Sequence, residues 1–187
     1  NVFEHSNPEV IINLAALADV DKCEKYPHEA YMANVQLVEW LVTWISNKKK
    51  NRPFLIQIST DHLYDSDKLS RENDIYISNY YAFSKYAGEI AARRVDSAIL
   101  RTNFFGKSLC PSRKSFSDWV YAKLKSNETF TAFDDAFFNP LSFNSLCSYI
   151  CCVINNPVVG TFNLGSKGGC SRLDFVNYIG KLFNFNL

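Results

Sequence analysis

Glycine is scarce in this sequence, seven among 187 residues, which leaves little material for a glycine-rich phosphate cradle. The sole methionine, Met32, lies well inside a chain that starts at Asn1, which reads as a cut N-terminus. Charge of one sign is also lacking, because twenty Lys and Arg against nineteen Asp and Glu leave a formal net charge of +1. That balance supplies no electrostatic footprint for nucleic acid or an anionic membrane, and the one basic run, 48–50, reads as a solvated helix end. No apolar run approaches the roughly 18 residues of a membrane span, and no signal segment opens the chain. With three histidines, none C-terminal to His62, and no Cys-x-x-Cys pair, zinc-ligand spacing is absent and no metal is expected.

Against these absences stands a 47% hydrophobic composition, enough for one compact domain or most of one. Of six cysteines, Cys147, Cys151 and Cys152 crowd an apolar stretch, while Cys23, Cys110 and Cys170 stand alone. The spacing predicts buried free thiols in a reducing, cytoplasmic setting, not a disulfide framework.

Residues 10–16 form a short apolar run, β-branched at its start, the pattern of a strand buried on both faces with helices above and below. After Pro27, Tyr31, Val35, Val38, Leu41, Val42 and Ile45 recur at helical spacing. A second buried strand is expected at 54–59, a long polar loop at 61–78, a helix at 79–94 and a third strand at 97–102. Alternating strands and helices point to parallel crossover units. Beyond them, helices are expected at 115–125, 144–154 and 171–183, the last opened by a Ser171/Asp174 capping box. Short strands are expected at 129–133 and 160–164, with a turn-rich loop at 134–140. The predicted fold is α/β: a parallel sheet spanning 1–106, followed by a small α+β lobe over 107–187.

Chemistry-bearing residues gather where the second strand ends, at Ser59-Thr60-Asp61-His62. Ligands of open parallel sheets bind beyond the carboxyl ends of strands. Tyr81 and Lys85 follow, four apart on a predicted helix and so on one face. An ammonium beside a phenol favours the phenolate, which lets such a tyrosine exchange a proton with a carbonyl or alcohol oxygen. A threonine hydroxyl opposite would hold the same oxygen. The pattern Tyr-x-x-x-Lys is cheap, expected about 0.7 times by chance in this composition. Three copies occur: Tyr64/Lys68 in the predicted loop, Tyr121/Lys125 near a helix end, and Tyr81/Lys85. Only the last follows a buried strand that ends in a hydroxyl pair.

The segments Ile12-Asn13-Leu14-Ala15-Ala16, Asp21-Lys22-Cys23-Glu24, Asn34-Val35, Ser59-Thr60-Asp61-His62-Leu63-Tyr64-Asp65, Tyr81-Ala82-Phe83-Ser84-Lys85-Tyr86-Ala87-Gly88-Glu89 and Leu100-Arg101-Thr102-Asn103 together resemble the extended short-chain dehydrogenase/reductase family. Within it, the chain is similar to the dTDP-4-dehydrorhamnose reductase group. The resemblance implies a Rossmann-like sheet without its first strands, a nucleotide-linked 4-keto sugar as substrate, and NADP or NAD as cofactor. It implies Thr60, Tyr81 and Lys85 as the catalytic residues, with Tyr81 as proton donor. Ala15, Ala16, Tyr81, Lys85 and Asn103 would lie against the cofactor; Thr60, His62, Phe104 and Asn139 would lie against the sugar. A bland loop position explains His62 equally well, and a simple turn explains Asn139-Pro140 almost as well.

The family's Gly-rich pyrophosphate turn would fall about fifty residues before Asn13, so the resemblance implies a fragment without the first part of its cofactor half. The run Gly165-Ser166-Lys167-Gly168-Gly169 reads as an ordinary strand-to-helix turn. Two other readings stay open. The resemblance also extends to the noncatalytic regulatory subunit of methionine adenosyltransferase, and a sugar-nucleotide epimerase or dehydratase is the other, although the Ser-Thr-Asp-x-x-Tyr-Asp element at 59–65 favours the reductase group over epimerases; a homodimer or a regulatory partner is compatible with the resemblance.

Overall fold

The computed structural model describes residues 2–65, 69–110 and 114–185. A short helix α1 (Val2–Ser6) precedes strand β1 (Val10–Asn13). Helices α2 (Val20–Lys25) and α3 (Pro27–Tyr31) follow, and one wide π-type turn (Met32–Gln36) leads into α4 (Leu37–Asn47). Strand β2 (Phe54–Thr60) runs into a 3-10 turn (Asp61–Leu63); helix α5 (Tyr80–Ala92) and strand β3 (Ser97–Thr102) come next. The rest comprises β4 (Phe104–Phe105), α6 (Phe116–Lys125), β5 (Phe137–Phe138), β6 (Leu141–Ser142), α7 (Phe143–Asn155), β7 (Gly160–Leu164), β8 (Cys170–Ser171) and α8 (Arg172–Leu182).

Two compact units result: Asn1–Thr102 with Ile150–Leu164, and Asn103–Tyr149 with Gly165–Leu187. In the first, four strands pair in the order β1-β2-β3-β7, all parallel. The α/β architecture is therefore the expected Rossmann-like one, and Gly160–Leu164 supplies the strand beside β3. One core joins Ile11, Leu55 and Ile99 of the strands to Val38, Leu41, Val42 and Ile45 of α4 and to Ala91 and Ala92 of α5. The three- and four-residue spacing on α4 aims those side chains at the sheet. Each buried aliphatic contributes roughly 1.5–3 kcal/mol.

The second unit is α+β. Helices α6 and α8 share a core of Val120, Leu124, Phe138, Phe175, Val176 and Ile179. Two small sheets, β4 with β6 and β5 with β8, complete it. Both helices open on a capping box: Ser171 with Asp174 as expected, and Ser115 with Asp118.

Several expectations are corrected. Strand β1 stops at Asn13, and its burial alternates, with Ile11 and Asn13 buried and Ile12 between them 39% exposed, so it is covered on one face and not on both. No strand forms at 129–133; the strand lies at Phe137–Phe138, inside the stretch expected to be a loop, where it pairs antiparallel with β8. All six cysteines are free, but only Cys23 is buried. On α7 the buried positions are Leu146 and Ile150, so Cys147 and Cys151, one position further round, face outward. Among the described residues, no helix is long and apolar enough to cross a membrane, and no cluster of three or more His, Cys, Asp or Glu could hold a metal.

Candidate active site

Asn34 organises the ground beneath the site. Its amide nitrogen donates to the Leu17 carbonyl at 3.0 Å and to Ser84 Oγ at 2.8 Å, while its Oδ1 accepts the Leu17 N–H at 2.8 Å. The loop that follows β1 is thereby tied to α5. The π-type turn that carries Asn34 lies close to α5: a Cβ on Gly88 would sit 2.3 Å from the Asn34 carbonyl oxygen, so only glycine fits there. Asn13, buried at the end of β1, donates to Gln57 Oε1 at 2.8 Å and accepts the Ala15 N–H at 3.2 Å. Ala15 is exposed and Ala16 half-buried, on a strip of backbone held from below beyond the carboxyl end of a parallel strand.

Thr60 ends β2, and its Oγ1 accepts the backbone N–H of His62 at 3.2 Å, which starts the 3-10 turn. The half-buried His62 ring packs edge-on to the Tyr81 ring, with centroids 5.5 Å apart. Tyr81 occupies the first turn of α5, whose start is set by the Asn79 side chain accepting the Ala82 N–H and by Glu24 accepting the Tyr80 N–H. One turn on, the Lys85 ammonium donates to the Ile58 carbonyl at 2.8 Å, two residues before Thr60. Thr60, Tyr81 and Lys85 are 4%, 8% and 5% exposed. Burial draws the Lys85 pKa down to about 8, against the opposing pull of the Glu89 carboxylate. Thr60, His62, Tyr81 and Lys85 are thus brought together around the end of β2.

Asn103, Phe104 and Asn139 belong to the second unit. The Asn103 carbonyl accepts the Leu141 N–H at 2.9 Å, and Phe104, 41% exposed, lies 5.3 Å from the Phe143 ring. Asn139 clamps a turn: its amide donates to the Ser166 carbonyl at 2.8 Å, and its own carbonyl accepts the Ser166 N–H. Gly165 and Gly169 pack against it, Gly169 at φ +64°, which accounts for the glycine run by backbone geometry. Of the other two Tyr-x-x-x-Lys copies, Tyr121/Lys125 lies in an aromatic cluster, with Tyr121 edge-on to Phe183 and Phe185. Lys68 of the remaining copy lies outside the described residues.

Sequence reasoning missed a buried ionic group beside this site. Glu89, fully buried one turn beyond Lys85, receives two hydrogen bonds from Arg101 at 2.9 and 2.6 Å and one from Ser59 at 2.6 Å. Arg101 also donates to Tyr64 Oη and to the Glu72 carbonyl, both at 2.7 Å. Burial opposes the Arg101 charge, but the bonds with Glu89 and Tyr64 outweigh it and raise its pKa above the ordinary value. An arginine inside an apolar strand was the available signal, since a buried guanidinium demands a partner.

Known proteins match this arrangement along nearly its whole length. The chain is 29% identical over 181 residues to a probable low-salt glycan biosynthesis reductase of Haloferax volcanii, covering 93% of this chain and 59% of that protein. A hypothetical dTDP-4-dehydrorhamnose reductase from Sulfolobus tokodaii superimposes with a TM-score of 0.86 at 32% identity, covering 98% of this chain and 64% of the other. A dTDP-4-dehydrorhamnose reductase from Bacillus anthracis, solved in complex with NADP, gives a TM-score of 0.88 at 25% identity, covering 100% and 66%. The chain therefore spans about three fifths of the length of such relatives. With the pattern described as RmlD substrate binding domain matching residues 1–186, through both units, the chain belongs to that family.

Proposed function

We propose that this chain forms the catalytic and sugar-binding part of an NAD(P)H-dependent reductase acting on the keto group of a nucleotide-linked 4-keto sugar. The observation that carries the reading is the convergence of Thr60, Tyr81 and Lys85 at the carboxyl end of a parallel strand, with Lys85 held in place by the Ile58 carbonyl. The dTDP-4-dehydrorhamnose reductases to which the chain is similar, one of them solved in complex with NADP, support it.

In this reading the first unit carries the cofactor side. The backbone of exposed Ala15 and half-buried Ala16, flanked by the hydrogen bonds of Asn13 and Asn34, suits close approach of a dinucleotide, with Lys85 beside it; Asn103, in the second unit, is assigned to the cofactor by the family resemblance. A bound nicotinamide supplies a hydride to the carbonyl carbon. Tyr81 delivers its hydroxyl proton to the carbonyl oxygen, so that the ketone becomes an alcohol. Thr60, whose oxygen already accepts from His62, turns its hydroxyl proton toward that same oxygen and orients it. The Lys85 ammonium stabilises the negative charge left on the Tyr81 oxygen. His62, Phe104 and Asn139 are assigned to the sugar side.

The test follows NADPH absorbance with a dTDP-linked 4-keto sugar, in a full-length reductase carrying these 187 residues. Tyr81→Phe should lower kcat about 100- to 10,000-fold with the fold intact. Equal rates in the two proteins would remove Tyr81 as the acid. A stable complex with another enzyme, indifferent to Tyr81→Phe, would favour a regulatory role instead.

A further inference from the structure

Between Thr60 and α5 the chain makes a long excursion whose described parts are tied down by one buried charge. Arg101 spends its Nε and Nη2 on the Glu89 carboxylate and points Nη1 at Tyr64 Oη and the Glu72 carbonyl. Tyr64 passes the chain on, donating to Asn163 Oδ1 of β7 at 2.5 Å. Asn163 returns to the same excursion twice: its backbone N–H donates to Glu72 Oε1 at 2.9 Å, and its amide donates to the Ser70 carbonyl at 3.3 Å. Burial raises the Tyr64 pKa, and the Arg101 hydrogen bond works in the opposite direction, so the phenol remains available as a donor while it accepts from the guanidinium.

We propose that Tyr64 is a positioning residue: by bridging Arg101 of β3 to Asn163 of β7, it latches the segment after the 3-10 turn to the sheet and so holds Thr60 and His62 in register with Tyr81. Tyr64 lies four residues beyond Thr60 and two beyond His62, with the fully buried Leu63 between, so a shift at Tyr64 is transmitted directly to the His62 backbone N–H that caps on Thr60. Glu89 anchors the latch from below, and it also lies one turn from Lys85. The same carboxylate therefore ties α5, the helix of Tyr81 and Lys85, to Ser59 of β2 and to Arg101 of β3. The buried charges at the interior end of this network, Arg101 and Glu89, are paired with each other, and its outer end is the Tyr64 phenol, the exposed Asn163 and the half-buried Glu72 carboxylate, which accepts the Asn163 backbone N–H. The outer end can be cut without stranding a buried charge.

The register of Thr60 and His62 matters because of the reductase reading above, but the test needs no turnover. The chain has three histidines, so the His62 ring protons can be assigned by NMR, and the edge-on Tyr81 ring displaces their resonances. In Tyr64→Phe the His62 signals should move toward those of a free histidine. The thermal midpoint should stay within a few degrees. Asn163→Ala, at an exposed position, should reproduce the His62 movement and serves if Tyr64→Phe does not fold. His62 signals that stay in place in a folded variant would overturn the latch, whatever the full-length protein does with a keto sugar. In an active full-length protein, Tyr64→Phe should lower kcat more than it raises KM, since Tyr64 aligns Thr60 and contributes no substrate contact of its own.

Discussion

The Lys85 ammonium, almost wholly buried, donates to the Ile58 carbonyl at 2.8 Å and has its pKa drawn down to about 8. A lysine placed there for stability alone would be a poor choice, because the fold must shield its charge from water. In the proposed relay its role is to hold one positive charge on the helix face that carries Tyr81.

A consequence appears in the pH dependence of stability. The unfolded lysine keeps its proton up to about 10.5 and the folded one only to about 8, so between these values raising the pH favours the folded state. Below pH 8 the charged lysine leaves the fold about 3 kcal/mol less stable than the neutral one would. Lys85→Met should therefore unfold at higher urea concentration than the parent at pH 7. The gap should narrow as pH rises from 8 toward 10, and a constant gap would show that Lys85 carries no such shift.

Gly88→Ala should destabilise strongly, because the new methyl group would meet the Asn34 carbonyl oxygen, a backbone atom with no freedom to swing aside. A loss of about 1–3 kcal/mol is expected from urea titration. Faster exchange of the Leu17 amide should accompany it, since Asn34 also holds that residue.

Arg101→Leu should be worse, at about 3–5 kcal/mol, since it leaves the Glu89 carboxylate in the interior with Ser59 and the half-exposed Arg93 as its partners. Replacing Glu89 and Arg101 together by leucine should recover much of that loss, and denaturation midpoints of the single and double variants measure the recovery.

Thiol titration separates the cysteines. Cys110, Cys147, Cys151 and Cys152 should react with an aromatic disulfide reagent in the folded protein. Cys23 should react only on unfolding, because it is buried and donates to the Leu17 carbonyl, and because burial and the neighbouring Asp19 and Glu24 charges raise its pKa.

Much of the fold and the core of the site could be read directly from residue order. Strand 97–102, helix α5 and the Ser171/Asp174 capping box lie where residue patterns and capping residues put them. These are local signals, carried within a few residues. The spacing of Tyr81 and Lys85 is local in the same sense, and it needed only a helix to become a shared face. The short strands were harder: Phe137–Phe138 is defined by its partner β8, more than thirty residues away, and two residues carry no periodicity of their own. The exposed cysteines of α7 had the same difficulty, since an apolar helix declares its burial but not which side is buried.

By itself the sequence determined the α/β alternation and the helical spacing of Tyr81 and Lys85, because each depends on spacing along one segment; Thr60 joined them in the proposed relay through the family resemblance. The tertiary structure alone decided that Gly160–Leu164 lies beside β3, that Glu89 is matched to Arg101, and that Tyr64 reaches Asn163 across 99 positions. Such pairings come from burying charged and polar groups whose partners can be supplied from anywhere in the chain, and no local pattern encodes which partner that is.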